Sequence, residues 1–231
     1  MDRIFLGQAI FLRHGESDYT DVFPDLTDEG RKTIQRSAVE IEKIRSDFTD
    51  NGTSIVSSPA ARAQGSAAII AKRFGIKRVG RIPLLKPTQI RDEEKGKAIY
   101  LKYVSDGGMR SLCVAYGKDS RFEDGVIFEP RSEVSARLCK YLAMLAECMF
   151  VVQLPHLVVA VSHYEVLCHF VEELFKLDYA RSDPLRHGEL IRVFFNRAEN
   201  NNAVNLDVIF RETRVKALFD IRQKRLLRAP A

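Results

Sequence analysis

The chain has 231 residues, 45% of them hydrophobic, enough to bury one sizeable core without a second independent domain. Thirty-six Lys and Arg against 31 Asp and Glu leave a net charge of +5 and a pI near 9.0, a bias that suits anionic small molecules but is too mild for a nucleic-acid footprint. The cysteines, Cys113, Cys139, Cys148 and Cys168, make no C-x-x-C pair and no metal-like spacing with histidine. They predict small buried thiols in a reduced, cytoplasmic chain rather than a disulfide framework or a zinc site.

"MDRIFLGQAIFL" is apolar, but it carries Asp2, lacks a small-residue cleavage pattern and runs straight into the tetrapeptide Arg13-His14-Gly15-Glu16. It reads as a buried strand rather than a signal peptide. "LTDEGRKTIQRSAVEIEKIRSDF" places Ile34, Ala38, Ile41 and Ile44 at helical spacing, with Thr27 as its start. "TSIVSSP" is a second short strand, and "AARAQGSAAIIAKRFG" a helix that stops at Gly75. An irregular middle follows. "EVSARLCKYLAMLAECM" is a strong helix, "HLVVAVSH" a fully apolar strand and "EVLCHFVEELFKL" another helix. "ELIRVFFNR" and "VNLDVIFRE", joined by "ENNNA", form a hairpin. The last segment, "RVKALFDIRQKRLLRAP", reads as a docked amphipathic stretch with a solvated cationic face. No run approaches the roughly 18 consecutive apolar residues of a membrane helix.

Alternating strands and helices predict an α/β three-layer sandwich: a mostly parallel central sheet flanked by helices, with a helical or irregular insertion over the active site. In such sheets ligands sit beyond the carboxyl ends of the strands. Three apolar runs end there in chemistry: "IFL" in Arg13-His14, "SIV" in Ser57-Ser58-Pro59 with Arg62 one turn on, and "VVAVS" in His163. Two imidazoles and two guanidinium groups would converge on one rim. A neutral imidazole is a competent nucleophile, and arginine forks match the non-bridging oxygens of a phosphoryl group. Together they predict phosphoryl transfer to histidine, with fixed positive charge on the equatorial oxygens and a carboxylic acid for the leaving oxygen. No metal and no cofactor are expected.

"FLRHGES", "LTDEGR", "VSSPAARAQGSAAIIA" and "VAVSH", with "FEPRSEVSARLCKYL" more loosely, resemble in order the motifs of the histidine phosphatase superfamily, which includes the cofactor-dependent phosphoglycerate mutases. The resemblance spans roughly residues 8 to 170. It implies one domain over residues 1–231, with a cap or insertion near 97–130. It also implies His14 as phosphate acceptor, with Arg13, Arg62 and His163 completing the pocket. The proton donor of that family lies in a Leu-x-Glu-x-x-x-Gly pattern; "IRDEEKG" puts Asp92 in the acid position, with Glu93 or Glu94 reached by a shift of one or two residues and Glu165 next in line. Ser17, Thr20 and Tyr164 are expected at the substrate. Tyr19-Thr20 stands where the family commonly has Trp-Asn, so an amide becomes a hydroxyl, and Tyr164 stands where glycine is usual, which narrows the pocket or directs a phenol at the substrate.

The segment after Gly96 lacks the paired arginines and prolines with which mutases grip phosphoglycerate. The implied activity is therefore metal-independent phosphomonoester hydrolysis on a small phosphorylated molecule. Mutase-type transfer and a catalytically weak phosphate-ester-binding module are the alternatives. Neither nucleic acid nor membrane is an expected partner, and oligomeric state is not readable. A second copy of the tetrapeptide, Arg186-His187-Gly188-Glu189, follows a polar turn and precedes its strand. Its histidine is expected to enter the sheet from the opposite end, near the pocket rim, without catalytic duty. His156 and His169 read as structural or surface residues.

Overall fold

The computed structural model describes residues 4–18, 25–48, 52–152, 155–177, 184–200 and 202–227. In chain order they form β1 (Phe5–Arg13), α1 (Asp28–Arg45), β2 (Thr53–Ser57), α2 (Ala61–Phe74), β3 (Gly80–Arg81), α3 (Glu93–Lys118), α4 (Arg131–Val152), β4 (His156–Ser162), α5 (Tyr164–Phe175), β5 (Leu190–Arg197), β6 (Ala203–Phe210), β7 (Thr213–Asp220) and β8 (Arg225–Leu227). Single 3-10 turns lie at Pro83–Leu85 and Ser120–Phe122. One eight-stranded sheet runs β3-β2-β4-β1-β5-β6-β7-β8.

Side-chain alternation in β1 splits the core in two. Ile10 and Leu12 join Ile34 and Ile41 of α1 and Ile70 of α2 on one face. Phe11 joins Tyr141 and Leu142 of α4 and Val166 and Val171 of α5 on the other. Both faces are covered, which is why β1 and β4 are near-continuous apolar runs. The stripe of α1 sits where its spacing places it: Ile34, Ala38 and Ile41 are 0% exposed, and cutting either isoleucine back to alanine would cost about 2–5 kcal/mol. Thr27 Oγ1 caps the helix by accepting from Gly30 N at 3.0 Å. α2 ends at Gly75 in the left-handed conformation, φ 67°.

Three expectations need correction. The sheet is mixed: β3-β2, β2-β4 and β4-β1 pair parallel, whereas β1-β5, β5-β6, β6-β7 and β7-β8 pair antiparallel. The apolar runs signal the parallel half, but the chain then returns through consecutive hairpins, which need no crossover helix. The middle is not irregular, since residues 93–118 are one 26-residue helix. The basic C-terminal segment is the β7-β8 hairpin at the sheet edge, where Ala217, Phe219 and Ile221 alternate inward with period two. Of the thiols, Cys168 is buried as expected, Cys139 is half-buried and Cys148 is exposed; the side chain of Cys113 lies outside the described residues. Among the described residues no helix is long and apolar enough to cross a membrane.

Candidate active site

Because β1, β2 and β4 run parallel, their carboxyl ends share an edge: Arg13 pairs with Ser162, and Ser57 with Val161. The residues just past those ends are tied together by backbone bonds, His14 N to Ser162 O at 3.0 Å and Ser58 N to Val161 O at 2.9 Å. This brings Arg13, His14, Arg62 and His163 to one place, with the His14 and His163 rings 5.0 Å apart.

Each ring has a defined tautomer. His14 is 2% exposed; its Nδ1–H donates to Gly15 O at 2.6 Å, since a carbonyl can only accept. Its Nε2 therefore carries the lone pair, and it accepts from Arg62 Nε at 3.0 Å. His163, fully buried at the start of α5, has Nδ1 3.2 Å from Arg62 Nη2 and Nε2 2.8 Å from Ser58 Oγ. Guanidinium groups only donate, so Nδ1 accepts and Nε2–H donates to Ser58. Burial, then the Arg62 charge, holds His14 well below the usual imidazole range. Burial, then His14, does the same to His163. Both rings are neutral at physiological pH.

The arginines are fixed by backbone carbonyls and neighbouring elements. Arg13 is 5% exposed, donates Nη1 to Leu185 O at 2.8 Å and lies 5.3 Å from the Tyr164 ring centroid. Its Nε has no hydrogen-bond partner among the described residues. Arg62 sits in the first turn of α2, where Ser66 Oγ donates to Arg62 O at 2.8 Å and accepts from Gly15 N at 3.0 Å. One hydroxyl thus links the two motifs. A cavity of about 460 Å³ opens over the cluster, and Arg13, His14, Arg62, Glu93, Tyr164 and Glu165 are in its wall.

The remaining expected residues divide. Tyr164 lines the cavity, so its phenyl ring narrows it. Ser17 is buried in a bridge to Leu26 and does not line it. Thr20 lies outside the described residues. Asp92 is the N-cap of α3 and does not line the cavity: its carboxylate accepts from Lys95 N at 3.1 Å and pairs with Lys95 Nζ at 3.0 Å, which lowers its pKa. Glu93, one residue on, faces the cavity; Glu94 does not line it. Of the three adjacent acids, the helix start engages Asp92 and the cavity wall includes Glu93.

Two supports were not foreseen. Ser58 orients His163, a role hinted at only by its place after "SIV". The buried Glu129 pairs with Arg137 at 2.7 and 2.9 Å and accepts from Gln89 N at 3.2 Å, while Arg137 Nη1 donates to Leu84 O and Lys86 O at 2.8 and 3.0 Å. This pair clamps α4 to the segment that precedes α3 and carries Pro87 and Thr88 into the cavity wall. His187, expected near the rim, has its ring centroid 5.7 Å from that of His14.

Residues 9–99 match the model of the histidine phosphatase superfamily (branch 1). That stretch is similar to the superfamily over less than half of the chain. No curated protein matches the sequence. The fold is similar to that of a mycobacterial glucosyl-3-phosphoglycerate phosphatase solved with inorganic phosphate, at TM-score 0.62 and 18% identity over 90% of this chain and 97% of that one. It is also similar to a phosphoserine phosphatase mutant from Entamoeba histolytica solved with phosphoserine, at TM-score 0.56 and 19% identity over 90% and 96%. At such identities the likeness is one of fold; the superfamily match rests on the stretch that holds Arg13, His14 and Arg62.

Proposed function

We propose that the protein is a metal-independent phosphomonoesterase that hydrolyses a small phosphorylated substrate through a phosphohistidine at His14. The observation that carries this reading is the tautomer: Gly15 O takes the Nδ1 proton, so a lone pair stands on Nε2 beside two guanidinium groups in the cavity wall. When Arg62 turns to the phosphoryl oxygens it releases that lone pair. Nε2 attacks phosphorus, the bond from phosphorus to the ester oxygen breaks, and Arg13, Arg62 and His163 stabilise charge on the equatorial oxygens.

Glu93, rather than the Asp92 of the sequence pattern, is the better-placed proton donor to the leaving oxygen, because it faces the cavity while Asp92 is engaged by Lys95. The resulting Glu93 carboxylate takes a proton from water, the hydroxide attacks phosphorus, and the N–P bond breaks to release orthophosphate and neutral His14. Residues 97–130, which include most of α3, act as a cap that supplies one wall of the site.

Rapid quenching with a radiolabelled phosphoester tests this. An alkali-stable, acid-labile phosphoprotein should form on the wild type, be absent from His14→Ala, and turn over unchanged in the presence of chelator. Loss of turnover on chelation, restored by a divalent ion, overturns the reading.

A further inference from the structure

Arg13, His14 and Arg62 make up only part of the cavity wall, and the rest has a different chemistry. Pro87, Ile90, Tyr100, Tyr116, Phe122 and Phe128 line it. Phe122 and Phe128 stack with ring centroids 4.5 Å apart, and Tyr116 meets the Phe122 ring edge-on at 5.2 Å. Tyr116, Phe122 and Phe128 are each no more than 5% exposed, so the wall is preformed rather than assembled on binding. The one phenol in that stack bonds Thr88 Oγ1 at 3.0 Å, so each of the two hydroxyls has a partner within the wall. At the outer edge Ile90 is 44% exposed, a large apolar side chain held open to solvent beside a concave apolar surface.

A leaving group rich in hydroxyls or carboxylates needs a bank of donors and cations to replace its water, and an unmatched polar group buried here would be penalised. The charged side chains in this wall beyond Arg13, Arg62 and the proposed donor Glu93 are Lys97 and Glu165, a set of no net charge. It offers no cationic pair for a carboxylate.

We infer that the substrate's leaving group is an apolar alcohol or phenol, seated against the stacked aromatic wall while the phosphoryl group engages Arg13, Arg62 and the two histidines. This rests on the phosphomonoesterase reading above and adds the substrate class. Water and phosphoester supply all the atoms; the products are the apolar alcohol and orthophosphate.

The experiment is a homologous series, ethyl to hexyl phosphate, with glycerol phosphate as the hydroxylated counterpart of propyl phosphate. Burial of a methylene gains about fourfold in binding at most, so kcat/KM should rise about two- to fourfold per carbon until the cavity is filled. Propyl phosphate should exceed glycerol phosphate by about tenfold or more, as expected for leaving buried hydroxyls unmatched. Ile90→Asn, at a half-open position that can accept a polar group, should reduce the slope per carbon; Tyr100→Gln is the second variant, and a thermal melt checks that each is folded. A flat series with His14-dependent turnover overturns this inference and leaves the phosphomonoesterase reading intact. A steep series unchanged in both folded variants places the apolar contact elsewhere and also overturns it. Absence of any His14-dependent turnover overturns both.

Discussion

The same four residues, Arg-His-Gly-Glu, occur at 13–16 and 186–189, and the fold puts both copies at one rim with opposite consequences. The first ends a strand; the second precedes one. Because β5 runs antiparallel to β1, with Leu190 opposite Leu12, a chain that enters β5 from the opposite end arrives at the same edge. In the first copy Arg13 and His14 are nearly fully buried and line the cavity; in the second Arg186 is exposed and His187 is half-buried behind His14. Gly15 allows close approach, since a Cβ there would lie 2.6 Å from Gly30 O. Gly188 is needed for its φ of +70°, with a Cβ that would strike Ser37 Oγ at 2.6 Å. Glu16 accepts from Thr27 Oγ1 at 3.0 Å, whereas Glu189 accepts from Arg186 N at 2.9 Å and pairs with Arg211 at 2.7 Å. Identical letters become cavity wall or scaffold according to strand direction and burial.

The comparison can be broken most decisively at the histidines. His14→Ala should lower kcat by about 10⁴–10⁶, because the covalent route disappears, and single-turnover kinetics will show it. His187→Ala should cost about tenfold or less through a loosened His14 ring. Equal losses would mean that the second copy shares the chemistry.

A smaller but sharper effect concerns the acid. Glu93→Gln should slow alkyl phosphate hydrolysis by about 10²–10⁴ while sparing an activated aryl ester. Asp92→Asn should change hydrolysis of the same alkyl ester by less than about twofold and leave the urea midpoint almost unmoved, because asparagine caps a helix start about as well as aspartate. If the leaving-group dependence follows Asp92 or Glu165, the assignment to Glu93 fails.

The pH response separates the copies further. Neutral His14 has its pKa well below 6.5, so kcat/KM should hold as pH falls from 7 to 6. Burial, then Arg13, pushes His187 down to about 3, whereas an unfolded imidazole titrates near 6.5. The unfolded chain then binds the extra proton, so the stabilisation is complete above about pH 6.5 and declines as pH falls towards 3. The melting temperature of the wild type should drop through that window, and less steeply in His187→Gln. The smallest change is at Glu189→Gln: loss of the partly exposed pair with Arg211 should alter stability by under about 1 kcal/mol and kcat by less than twofold.

What the sequence disclosed depends on how local the determining interaction is. Thr27 as cap, the Ile34-Ala38-Ile41 stripe and the apolar β1 and β4 were readable because each rests on spacing within one element. The strands that end in Arg13-His14, Ser57 and Ser162 likewise pointed to the convergence of Arg13, His14, Arg62 and His163. α3 was hidden: Gly96, Gly107, Gly108 and Gly117 interrupt any clean amphipathic stripe, and its helix is visible only in the fold. That Asp92 caps α3 while Glu93 lines the cavity was not readable, because an N-cap and a cavity-facing acid look alike as letters. The nearness of the His187 ring to that of His14 was not readable, because it depends on the direction of β5, a property of the pairing partner and not of the segment itself.

The carbonyl of Leu185 that fixes Arg13 lies 172 residues further along the chain, and Gly188 N returns a bond to Arg13 O at 2.8 Å. A nascent chain that has grown only through α5 already contains Arg13, His14, Arg62 and His163. It has β1 as an unpaired sheet edge and no clamp on the first arginine. Phosphate affinity should therefore arise late in synthesis, when β5 zips onto β1, and the long loop closed by that step makes it a slow event in refolding.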